Sequence, residues 1–188
     1  MSLELMEALQ NADFTKTSVR IANHCAPVID GLKVANLLIL SRDSEDGVKD
    51  YFCNTGVSIY KLASKDSKSI YYCYQKEMLK HLFCDKRVSC FLKTYGYYGF
   101  SVKKILEHLA LRYQAHFEKG QGFPHELGVF LGYPLSDVEA FISHEGKDYL
   151  YCGYWKVYTN KEEALKKFSL YDESRQKALS RLLDKQAS

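Results

Sequence analysis

Apolar and polar positions along the chain alternate between helical and strand periods. Residues 3–12 carry Leu5, Met6 and Leu9 on one face and predict a short helix. Residues 17–25 predict a second helix, with Pro27 blocking its smooth continuation, because proline lacks the amide donor. The apolar run 34–40 predicts a buried strand, 41–47 a polar loop, and Val48, Tyr51 and Phe52 a short helix ending near Gly56. Segments 57–63 and 69–74 flank the polar turn 64–68 and predict a hairpin, with Ile70, Tyr72 and Tyr74 on one face.

The second half is mainly helical. Met78, Leu79, Leu82 and Phe83 form a stripe over 76–83, and another short helix spans about 85–95, stopped by Gly96. Ser101 is a suitable N-cap for a longer helix with the stripe Val102, Ile105, Leu106, Leu109, Tyr113 and Phe117, ended by Gly120. Phe123-Pro124-His125-Glu126 opens a further helix, with Pro124 at its first position and Glu126 complementing the dipole, up to a left-handed Gly132. Ser136 to Glu139 has the spacing of a capping box, and Val138, Phe141 and Ile142 face inward on the helix it starts. Residues 149–158 alternate as an aromatic strand. Thr159 and Asn160, with Glu162 and Glu163, cap a last helix bearing Leu165, Phe168, Leu179, Leu182 and Leu183. The predicted fold class is α+β: one domain over 1–188, frayed at 1–2 and 185–188, with a small, mostly antiparallel sheet of about four strands surrounded by helices.

Composition sharpens this picture. A chain of 188 residues with 46% apolar, 26% charged and 14% aromatic content has the material for one packed core, which argues against disorder. Its longest apolar run is far short of the ~20 residues a membrane span needs, and the first residues lack a signal-peptide pattern. The expectation is a cytoplasmic protein without membrane association. Six cysteines without a C-x-x-C pair read as free thiols rather than a disulfide framework. The net charge of +3 is low for a dedicated nucleic-acid binder.

Three sequence blocks carry a resemblance. The first is His24-Cys25-Ala26-Pro27 with Gly31-Leu32-Lys33 and Ala35-Asn36-Leu37. The second is Phe123-Pro124-His125-Glu126-Leu127-Gly128 with Phe130-Leu131-Gly132-Tyr133-Pro134. The third is Cys152-Gly153-Tyr154-Trp155-Lys156-Val157-Tyr158. Together they resemble a small, uncharacterised bacterial family described only as a domain of unknown function. The resemblance spans about residues 20–183 and implies no activity, substrate or catalytic residue.

Candidate chemistry concentrates in the same blocks. His24, Cys25, His125, Glu126 and Cys152 are donor types that suit a transition metal, although only adjacent pairs occur rather than spaced ones. Read as catalysis, Cys25 is the nucleophile and His125 its base, since a thiol with a pKa near 8.5 needs help to ionise at neutral pH. Read as binding, His24, Cys25, His125, Glu126, Tyr154 and Trp155 wall a ligand pocket. The bland alternative makes Cys25 and Cys152 small buried hydrophobes and leaves His125 and Glu126 tending a helix N-terminus.

Residues 127–141 approach helix-turn-helix spacing, but the second helix carries Asp137, Glu139 and Glu145, which phosphate would repel. Residues 76–104 hold seven basic and two acidic side chains with interleaved aromatics, the pattern of a solvated face as much as a single-strand binder. Neither G-x-G-x-x-G nor a P-loop occurs. The sequence therefore leads to a cytosolic binding protein for a small molecule or metal ion. A thiol enzyme using Cys25 and His125, and an interaction domain without pocket chemistry, are the alternatives. Nucleic acid is disfavoured as a partner, and exposed tyrosines would mark a homo-oligomer face.

Overall fold

The computed structural model describes residues 3, 6–7, 10, 12–13, 16–42, 45, 47–99, 101–120 and 122–187. The elements are α1 (Thr17–Ile29), β1 (Ala35–Ser41), α2 (Val48–Phe52), β2 (Val57–Lys65), β3 (Lys68–Gln75), α3 (Lys76–Cys84) and α4 (Lys86–Thr94). They continue with α5 (Val102–Lys119), α6 (Leu127–Phe130), α7 (Leu135–Ser143), β4 (Tyr151–Cys152), β5 (Lys156–Val157) and α8 (Lys161–Ala187). The fold is α+β. The expected stripe positions Leu5 and Leu9, the side chain of Phe117 and the ends 1–2 and 188 lie outside the described residues. Among the described residues no helix is long and apolar enough to cross a membrane.

β1, β3 and β2 form an antiparallel sheet in that order, with Tyr72 of the central strand opposite both Leu37 and Tyr60. Both faces are covered, which is why β3 reads as a nearly unbroken apolar run rather than a clean alternation. Ala35, Leu62, Ile70, Tyr72 and Tyr74 pack on one face against Leu79, Leu92, Leu106, Leu109 and Phe130. Leu38, Leu40, Tyr71 and Cys73 pack on the other against Ile21, Cys25 and Val28 of α1 and Val48 and Phe52 of α2. The Tyr72 hydroxyl donates to the Phe130 carbonyl at 2.6 Å, tying the sheet to α6. β2 carries an irregularity between Lys61 and Ala63, and the Gln114 side chain of α5 satisfies the Leu62 carbonyl there at 3.0 Å.

Several expectations need correction. α1 runs through Pro27 to Ile29. A proline this close to a helix end removes one hydrogen bond only, and the Leu32 and Lys33 amides reclose the end on the Pro27 carbonyl at 2.8 and 3.0 Å. The helix expected to open at Pro124 is the single turn α6, which starts at Leu127. α7 begins at Leu135, because the Pro134 carbonyl already accepts the Asp137 and Val138 amides, so Ser136 is inside the helix rather than its cap. Ser101 precedes α5 as expected, without a side-chain capping bond.

The strand expected over 149–158 is a tight hairpin, β4 paired with β5. Its turn breaks the alternation because Gly153 lies flat on α8: a Cβ there would come 2.4 Å from Phe168 Cε2. Along α8, Ala164, Phe168 and Tyr171 receive the hairpin and Leu179 packs on Val19 and Ala22, while Leu165 is exposed. Asn160 caps α8 as predicted, and its partner is Glu163 in a reciprocal pair at 3.1 and 3.2 Å.

Candidate functional site

The α6–α7 corner is made by two glycines. Gly128 lies so close to α7 that a Cβ would stand 2.9 Å from Val138 Cγ2 and 3.3 Å from Tyr133 Cδ2. Gly132 has a φ of +77°, the left-handed conformation glycine adopts without steric cost, and a Cβ there would press on Val34. The corner leaves Leu127, Leu131 and Tyr133 facing an open-mouthed cavity of about 290 Å³, lined also by Leu37 of β1, Phe123, Val138 and Phe141 of α7, and Trp155.

Asp137 holds the hairpin onto this corner. Its carboxylate is buried and accepts Trp155 Nε1 at 2.8 Å, and the Tyr158 and Thr159 amides and the Thr159 hydroxyl at 3.0 Å each. Trp155 is thereby fixed in a stack on Tyr133, with centroids 5.3 Å apart, and edge-on to Phe168 at 4.5 Å. Desolvation pushes the Tyr133 hydroxyl up to about 12, so it stays a proton donor at neutral pH.

Two polar groups line the apolar wall without being consumed as Asp137 is. The His125 ring lies between Phe123 (5.7 Å) and Phe141 (5.5 Å) and makes no hydrogen bond among the described residues. Lys156 donates to the Gly146 carbonyl at 2.7 Å and sits over the Tyr149 and Phe141 rings at 4.8 and 5.7 Å. A second, more polar cleft of about 370 Å³ lies across Tyr133 and Trp155, bordered by Asp85, Arg87, Glu163 and Lys167.

The structure separates the candidate residues of the sequence. His125 and Trp155 share the cavity. Glu126 does not line it: wholly buried, it pairs with Arg112 Nε and Nη2 and accepts the Tyr97 hydroxyl at 3.2 Å. That carboxylate fastens α6 to α5; burial first, and then its charge, keep the Tyr97 phenol far above its usual pKa.

Cys25 lies in the core on the opposite face of the sheet, against Cys73, whose thiol is held up first by its hydrogen bond with Cys25 and then by burial. The pairing of Cys25 with His125 as nucleophile and base is therefore not formed. Cys152 is exposed on β4. Tyr154 turns to α8, donating to Asp172 at 2.8 Å and accepting Arg175 Nη1 at 3.1 Å. His24 is exposed on α1, where partial desolvation and then Arg175, Arg20 and Lys33 hold its pKa below the usual imidazole value. Among the described residues no three His, Cys, Asp or Glu side chains converge as metal ligands, so the five-residue metal set disperses.

Sequence reasoning missed Asp137, Phe141 and Lys156 as parts of this site. Phe141 reads as core from its helical stripe, and nothing in the sequence marks Asp137, because an acid in the first turn of a helix is ordinary dipole compensation.

No curated protein and no solved structure matches the chain. One family does match, over residues 21–188, so the chain that builds this pocket belongs to the family described as "Protein of unknown function (DUF3793)".

Proposed function

We propose that this is a bacterial, cytoplasmic binding protein for a small, largely apolar organic molecule, with the cavity between His125 and Trp155 as its site. The observation that carries the reading is the uncommitted imidazole of His125 on a wall of Leu, Val, Phe and Trp side chains. An apolar pocket with few polar groups aimed into it is the usual form of a small-ligand site. At about 290 Å³ the cavity is at the small end of such sites and suits a ring system or short branched chain. His125 and Lys156 are the groups that would meet a carboxylate or hydroxyl on that body. All six cysteines are free thiols, which fits a reducing compartment.

The test is a thermal-shift panel of small aromatic and aliphatic carboxylates on the wild-type protein and on Leu37→Phe, which fills the cavity from β1. Members of the panel should raise the melting temperature of the wild type and not that of Leu37→Phe. Equal shifts in both proteins would place binding elsewhere and refute the reading.

A further inference from the structure

The junction of α1 and α8 lies beside the cavity, which it meets through Lys33 and the Tyr133 ring, and it presents charged rather than apolar groups. Lys33, just past the end of α1, is 3% exposed. Its ammonium makes one hydrogen bond, to the neutral Asn36 Oδ1 at 3.0 Å, and lies 5.5 Å from the Tyr133 ring centroid. No carboxylate pairs with it among the described residues. Asn36 is held in place by donating its amide to the His24 carbonyl. A buried ammonium without a counter-ion is costly.

The surroundings add positive charge. Arg20 precedes His24 by one turn of α1, and its guanidinium has no partner among the described residues. Arg175 of α8 is fixed by Asn23 Oδ1 at 2.7 Å, the Tyr154 hydroxyl at 3.1 Å and Asp172 at 3.3 Å. Two acids stand by the cluster. Asp172 is committed to Arg175 and Tyr154, and Asp30 accepts the Ser174 hydroxyl at 2.7 Å. The Asn23 amide that holds Arg175 also stands 3.5 Å from His24 Nε2, and burial, with the charges of Arg175, Arg20 and Lys33 behind it, lowers the pKa of that imidazole.

The geometry points to a site for one compact oxyanion, the phosphate or carboxylate group of a small metabolite. His24 and Arg20 would hold it at the surface, in front of the fixed charges of Arg175 and the buried Lys33. The anion would complete a cluster whose three fixed cations, Arg20, Lys33 and Arg175, outnumber the two acids Asp30 and Asp172, and it would favour the protonated form of His24.

The test titrates the protein at pH 6.5 and constant ionic strength with inorganic phosphate and, separately, with acetate, against chloride. The His24 imidazole is followed by NMR. The expected result is a saturable change at His24, with its titration midpoint moving up toward the ordinary imidazole value. Arg20→Gln, a change on the outer side of α1, should weaken the affinity at least fivefold, and Lys33→Met by a similar factor. Response to both ions supports a general oxyanion site. Phosphate alone assigns it to a phosphate group, and acetate alone to a carboxylate. No saturable response to either ion overturns the proposal. So does a response that Arg20→Gln leaves unchanged, whether or not Lys33→Met folds.

Discussion

The indole of Trp155 donates to the buried carboxylate of Asp137 at 2.8 Å, joining a hairpin to a helix that begins 20 residues earlier in the chain. The same carboxylate takes two backbone amides and a hydroxyl from the hairpin exit, so one side chain sets the pocket wall. Asp137→Ala removes all four bonds and strands buried donors. It should cost about 3–4 kcal/mol, because hydrogen bonds to a charged acceptor contribute roughly 1.5–3 kcal/mol each and are not additive. Urea unfolding followed by circular dichroism measures the loss. The emission of the chain's one tryptophan should shift to the red in the folded variant.

Glu126, wholly buried, and the partly exposed Arg112 form the second anchor of α6. Truncating one partner leaves a charge stranded, so Arg112→Met should destabilise by about 3 kcal/mol. The double variant Arg112→Met/Glu126→Leu should recover a large part of that loss, since breaking a buried pair costs more than replacing it. A double-mutant cycle of unfolding free energies reads this directly; additive losses would show that the pair is not coupled.

Lys33 gives the fold a pH signature. Burial lowers its pKa from 10.5 to about 8, so the unfolded chain binds more protons than the native one between those values. Its cost is fully present below pH 8 and is relieved as the pH rises toward 10.5. The span corresponds to about 3 kcal/mol. The stability difference between Lys33→Met and wild type, in phosphate-free buffer, should therefore shrink steadily from about pH 7.5 to about pH 9.5. A difference constant over that range would contradict the burial of a charged Lys33.

The thiols should fall into two classes under native alkylation. Cys53, Cys84, Cys90 and Cys152 are exposed and should label quickly, whereas Cys25 and Cys73 should label only as fast as the protein opens. Mass spectrometry of the labelled peptides separates the classes. Early labelling of Cys25 would revive a role for it as a nucleophile.

Legibility in the sequence tracks how local each physical signal is. The hairpin β2–β3 and the shared face of Ile70, Tyr72 and Tyr74 are readable because a period of two projects side chains without any knowledge of partners. The α8 cap is readable because Asn160 and Glu163 act on their own helix. The strand expected over 149–158 fails because its break depends on a contact of Gly153 with Phe168, which no local pattern encodes. Glu126 reads as a dipole complement because its partner Arg112 lies on another helix. His125 and Trp155 stand out by residue type, but their meeting depends on the Gly128 corner and the Asp137 clamp, both of which are tertiary. Lys33 enters only as part of a sequence block, since nothing local tells a buried lysine from a solvated one.

Trp155 itself can report whether the cavity beside it accepts a small apolar ligand. It is the only tryptophan, so energy transfer from it to anilinonaphthalene sulfonate, an apolar ring system with one anionic group, reads binding of the dye without labelling, and substitutions in the cavity wall locate the bound dye. The expected result is saturable transfer at one site in the folded protein, weakened at least tenfold by His125→Ala and abolished by Leu37→Phe. Transfer that is absent, or that both substitutions leave unchanged, would contradict a ligand site in this cavity.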